Sequence, residues 1–160
     1  MTTVQTVLEF IETLAPRELK MDWDNVGLHC GSRSSEVKKI LVALDPFEHV
    51  CREAVEVGAD LLVTHHPLIF RPIPMVTDDA AITRGIMDLC RHSISHICAH
   101  TNLDCAEGGV NDVLAQTLEL KNVEKLVCEI PIFELENLPV PEAARLSYET
   151  MRKEAEEAGL

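Results

Sequence analysis

Between Val37 and Leu120 the chain alternates three times between a short aliphatic run and a segment of helical periodicity. VKKILVALD, ADLLVTHH and SISHICAH read as strands. FEHVCREAVEVGA and DDAAITRGIMDLCRH read as amphipathic helices, and a third helix is expected from about Gly109 to Leu120. Neighbouring parallel strands need a crossover element, so this alternation predicts an α/β fold. The expected architecture is a mostly parallel or mixed sheet with helices on both faces. The near-continuous apolar character of LLV and ILVAL predicts strands buried on both sides.

The flanks are less regular. Val4, Val7, Leu8, Ile11 and Leu14 repeat at helical spacing, and Pro16 closes that segment. DWDNVGLHCGS reads as a loop with a short extended piece, and NVEKLVC is a candidate fourth strand. The stretch from Glu129 to Val140 looks irregular, and Pro141 suits a first helical position. Ala144, Tyr148, Met151, Ala155 and Ala158 then form one stripe, expected to dock on the sheet or on another subunit. The expected organisation is an α/β domain over 1–128, then a linker and amphipathic helix over 129–160.

A length of 160 residues suits one compact domain, and 46% hydrophobic residues can supply its core. The net charge of −13, from 27 acidic against 14 basic residues, argues against nucleic acid or an acidic membrane as partner. Six cysteines without a C-x-x-C pair suggest small buried apolar groups rather than a zinc knuckle or disulfide scaffold. MTTVQTVLEFIETLA lacks the basic start and apolar run of a signal peptide, and no apolar run reaches about 18 residues. A cytoplasmic location is expected.

The ionisable residues fall in a particular place. The first strand of the alternation ends at Asp45, the second at His65 and His66, and the third at His100, with Asp104 just beyond. Ligands of open α/β sheets bind outside the carboxyl ends of the strands. If these strands are neighbours, about 4.8 Å apart, their terminal side chains converge. Pro67 holds His66 in extended geometry, so two adjacent imidazoles can splay and serve different metal ions. Neutral imidazoles suit zinc, iron or nickel, and Asp104 is a natural third donor. Two such ions about 4 Å apart would activate water near neutral pH. The same residues have ordinary readings. The histidine pair can cap the sheet by bonding loop carbonyls, and Asp104 can serve a helix N-terminus before the GGV turn. His100 is expected behind the ligands, orienting one of them. His29, His49, His92 and His96 read as structural.

Four motifs in order, WDNVGLHCGS, ILVALD, LLVTHHPLIF and AHTNLDCAEGGVND, resemble the NGG-interacting-factor-3-like family over about residues 1–120. Its members are labelled GTP cyclohydrolase I type 2 homologues and known as dinuclear metal centre proteins. The resemblance implies that His65, His66 and Asp104 match metal ligands and that Trp23, Asp24 and Asn25 lie near the site. Asp24 and Asp45, like His100, are then expected to support the ligands rather than bind. It further implies divalent zinc, iron or manganese, two per subunit in the family, and self-assembly into a toroidal hexamer. The family pattern also carries a late G-H-x-x-x-E motif that completes the site, whereas this sequence has no histidine after His100. Part of the family's carboxy-terminal portion is therefore expected to be missing.

Two functions follow as expectations. One is a metal-dependent hydrolase for a small phosphorylated or nucleotide-like substrate, with Asp45 or His100 as a proton acceptor. The alternative is a non-enzymatic oligomeric scaffold or protein-binding module with an incomplete metal site. A phosphoesterase family with a D-H-H signature ranks last, because Thr64 stands where that signature has its aspartate.

Overall fold

A computed structural model of the chain describes residues 1–121. The strand expected at 122–128, the boundary expected at residue 128 and the helix expected over 141–158 lie outside the described residues. The chain divides into compact units Met1–Gly109 and Val110–Leu160. The second unit contains α5 (Val110–Thr117), and the sheet belongs to the first.

The helix α1 (Val4–Leu14) begins where the Thr3 hydroxyl accepts the Thr6 amide, and it ends just before Pro16. A 3-10 turn at Arg17–Leu19 leads into β1 (Gly27–Cys30). The alternation then proceeds as expected: β2 (Ile40–Ala43), α2 (Glu48–Glu56), β3 (Leu61–Thr64), α3 (Ala81–Arg91), β4 (Ser95–Cys98). A short helix that the sequence did not announce, α4 (Thr101–Cys105), follows directly on β4.

The four strands form one sheet in the order β1-β4-β3-β2. β2, β3 and β4 are parallel, whereas β1 runs antiparallel to β4. The sheet is therefore mixed, and the extended piece expected in DWDNVGLHCGS is its antiparallel edge. One face packs Leu62 against Cys51, Ala54, Ile86 and Leu89 of α2 and α3. The other packs Leu61 and Ile97 against Val4 and Leu8 of α1. Alternate residues of β3 thus enter two separate apolar clusters, as a strand covered on both sides must do. Asp60 fixes the start of this arrangement, its carboxylate accepting the amides of Lys38 and Lys39 at 2.8 Å each.

The expectation that ILVAL is buried on both sides fails. β2 is an edge strand, and α1 covers β3 and β4 but leaves Ile40 at 42% exposure and Val42 at 72%. The cysteines are also less uniform than expected, because Cys90 is exposed while Cys51 and Cys98 are buried.

Gly31 ends β1 with φ +97, and a Cβ there would lie 2.2 Å from Ser95 Oγ and 2.6 Å from Ser95 Cα. Neither the dihedral nor the space admits a side chain. Gly31→Ala is expected to lower the unfolding free energy by about 2 kcal/mol or more, read from urea midpoints.

His96, fully buried in β4, generates a pH dependence. Burial pushes its imidazole down to about 3, with His29 adding to the effect. Between about 3 and the ordinary 6.5 the unfolded chain binds a proton that the folded chain does not. Stability is then full above pH 6.5 and falls as pH drops through that window, by about 1.4 kcal/mol per pH unit. Urea titrations at pH 7, 5 and 4 should show this slope, and His96→Gln should flatten it.

Candidate metal centre

The three parallel strands end level. Ala43, Thr64 and Cys98 are register partners, so the chain leaves the sheet at one height on three neighbouring strands. Asp45 follows β2, His65 and His66 follow β3, and His100 follows β4. One ring nitrogen from each of His65, His66 and His100 lies within 4.8 Å of the others. The ring centroids are 5.0–5.6 Å apart, with His100 edge-on to both His65 and His66 and those two tilted against each other.

Each imidazole is held through Nδ1, and each by a different acceptor. His65 Nδ1 donates to the Ala99 carbonyl at 3.0 Å. His66 Nδ1 bonds Asp45 Oδ1 at 2.6 Å, and His100 Nδ1 bonds Asp24 Oδ1 at 2.9 Å. A histidine that donates Nδ1–H presents Nε2 as its ligating nitrogen, with tautomer and ring plane fixed. Three rings restrained in this way toward one point form a donor set suited to a divalent cation such as zinc. Asp45 and Asp24, read from sequence as supporting residues, make these two contacts. His100, read from sequence as a supporting residue as well, lies in the cluster beside His65 and His66.

Asp104 lies 3.6 Å from His65 Nε2. Burial raises the Asp104 carboxyl above its ordinary range, and burial likewise lowers the His65 imidazole. Neither member of the pair therefore gains its charge easily in the protein alone. A cation between them would stabilise the carboxylate and the neutral imidazole together. The helix bearing Asp104 is closed by the tight turn at Gly109, where a Cβ would fall 2.0 Å from the Leu103 carbonyl oxygen. Gly109 thus has a packing role behind the carboxylate, whereas Gly108 supplies the turn's positive φ of +70.

Asp24 is more deeply embedded. Desolvation alone would raise its carboxyl, but hydrogen bonds from His100 and Thr101 outweigh it and bring the pKa to about 2. Thr101 contributes both its hydroxyl and its amide, and that hydroxyl accepts the Met21 amide at 3.0 Å. The neighbouring residues of the WDN motif buttress this corner. Asn25 Nδ2 donates to the Ile69 carbonyl at 2.6 Å, and Trp23 meets Phe70 edge to face at 5.9 Å. His29 is structural, donating Nε2–H to the Asn25 carbonyl and accepting the Ile69 amide on Nδ1. The structure also gives specific partners to Thr101 and Thr64, neither of which periodicity or spacing could single out. A cavity of about 200 Å³ lined by Gly31, Ser32, Cys90 and Ser93 lies at the opposite end of β4, away from the histidines.

Known proteins place this geometry in context. A curated relative from Clostridium perfringens, named GTP cyclohydrolase 1 type 2 homolog, is 46% identical over 112 residues, 70% of this chain and 43% of that protein. One of the same name from Halalkalibacterium halodurans is 41% identical over 122 residues, 76% of this chain and 33% of that protein. The crystal structure of a Bacillus cereus protein related to NIF3 superposes with a TM-score of 0.72 at 38% identity, covering 78% of this chain and 34% of the other. The chain thus spans about a third to a half of the length of these relatives. The sequence profile described as Duf34/NIF3 (NGG1p interacting factor 3) matches residues 2–157, and the chain belongs to that family.

Proposed function

We propose that this chain is a divalent-metal-binding protein whose ion is held by His65, His66, His100 and Asp104, and that it serves a hydrolase acting on a small phosphorylated or nucleotide-like substrate. The observation that carries the reading is the anchoring of three Nδ1 atoms on Ala99, Asp45 and Asp24. Zinc, iron and manganese are the candidates, because imidazole suits zinc and iron and carboxylate suits manganese. When bound, such an ion supplies Lewis acidity and lowers the pKa of coordinated water. The chain's own residues supply the rest. Asp24 and Asp45 hold His100 and His66 in the donating tautomer, and Asp45, at the more open edge, is placed to take up a proton. The described donors suffice for one ion, and a second would draw on donors outside residues 1–121. Names of relatives carry the word cyclohydrolase, which favours hydrolysis as the reaction class and a nucleotide-like substrate.

Metal analysis of protein purified without chelator should find zinc, iron or manganese. Adding zinc at about 100 times its dissociation constant should stabilise the stripped protein by about 2.7 kcal/mol. His65→Ala combined with His66→Ala should remove that gain while the fold persists. Stripped protein that gains no stability from any of the three metals would sink the reading.

The second reading, an oligomeric scaffold, is favoured by the uncovered apolar side of β2. Ile40 and Val42 on β2, with Leu44 and Phe47 just beyond it, are all exposed, and among the described residues β2 is an edge strand. We place self-association there, and the cytoplasm is the compartment in which Cys30, Cys51, Cys90 and Cys98 persist as thiols. No helix among the described residues is long and apolar enough to cross a membrane. Light scattering should show an oligomer for the native chain and a smaller species for Val42→Glu. An unchanged mass would remove β2 from the interface.

A further inference from the structure

His96 sits in the middle of β4 with no exposed surface, and its Nδ1 has no hydrogen-bond partner. An imidazole is a poor choice for such a position, since a leucine would avoid leaving an acceptor unpaired. Its other nitrogen explains what the ring does. His96 Nε2 lies 2.8 Å from Thr64 Oγ1, and Thr64 Oγ1 lies 2.6 Å from the His66 carbonyl oxygen. A carbonyl can only accept, so the single Thr64 hydroxyl proton goes to His66. The Thr64 lone pair then receives Nε2–H from His96, which fixes the tautomer and leaves Nδ1 bare.

The target of this chain of bonds matters. The parallel ladder stops at Thr64, so the carbonyls of His65 and His66 lose their sheet partners just where their side chains are needed. Both are met by side chains instead, His65 by the Cys98 thiol at 3.1 Å and His66 by the Thr64 hydroxyl. The His66 amide is held separately, by the Leu44 carbonyl at 2.9 Å. With both peptide groups gripped, the direction of the His66 Cα–Cβ bond is set before Asp45 orients the ring.

We propose that His96 is a positioning residue for His66, acting through the Thr64 hydroxyl on the His66 backbone. The inference rests on the metal-binding reading only for its consequence, since the relay itself exists without an ion. Two measurements on the full chain separate the two. The first is nitrogen NMR of the His66 ring in metal-free protein, which reports its tautomer and its bond to Asp45. The second is the zinc dissociation constant by chelator competition, with the visible spectrum of the cobalt(II) form. His96→Leu and Thr64→Val should each shift the His66 ring signals, alter the cobalt spectrum and weaken zinc binding about 10–100-fold. The double variant should be no worse than either alone, because the two residues act in series. His96→Gln, whose amide can still donate to Thr64, should recover most of the affinity. Should His96→Leu fail to fold, Thr64→Val and His96→Gln still decide the matter. Folded variants with unmoved His66 signals and unchanged zinc affinity overturn the proposal, as does a His96→Gln no better than His96→Leu. Native protein that binds none of zinc, iron and manganese, with His66 signals that still move and recover, upholds the relay and overturns the metal reading.

Discussion

Everything at the site depends on the in-register parallel pairing of β2, β3 and β4. Ile40 opposes Leu61 and Leu61 opposes Ser95, and the alignment runs without a shift to Ala43, Thr64 and Cys98. Strands of equal length in equal register end together, so their next residues emerge as one row. A slip of one residue in β3 would rotate Leu62 out of its cluster and carry the histidine pair away from Asp45 and His100. The apolar contacts of Leu61 and Leu62 with opposite helical layers prevent that slip. Core packing and site geometry are therefore set by the same few residues.

The antiparallel strand does what a fourth parallel strand could not. Because Gly27 pairs with Cys98, the residues preceding β1 lie at the carboxyl end of β4. That direction alone puts Asp24 beside His100 and Thr101, more than seventy positions later in the chain. Had β1 run parallel, its entry would lie at the far end of the sheet, near Ser95. The WDN motif thus belongs to the site through strand polarity, and its Asn25 ties the loop after Pro67 into the same corner.

Much of this was legible in the sequence, and for a physical reason. Period and length separate strands such as LLVT from helices such as AITRGIMDLCR, and the alternation fixes the class of sheet. The three strand ends bearing Asp45, His65, His66 and His100 could be read from topology before any contact was known. Strand order was not legible, because an aliphatic run looks the same at an edge as in the centre. ILVA therefore reads as buried, while the structure leaves Val42 mostly exposed. The role of His100 was equally hidden, since its distance to His65 depends on how the chain turns into α4. Thr64 and His96 are invisible for a different reason. Their bonds run diagonally across two strands and leave no periodic trace.

The carboxylates around the histidines have an electrostatic consequence. Asp24, Asp45 and Asp104 surround one small region, and two of them are nearly or fully withdrawn from solvent. Three carboxylates so close together make the corner strongly negative where they are ionised, and the two buried ones are poorly screened by water. On the proposed metal reading, one dication would leave that charge uncancelled and two would reverse it, so metal loading would set the sign of the field an incoming anion meets.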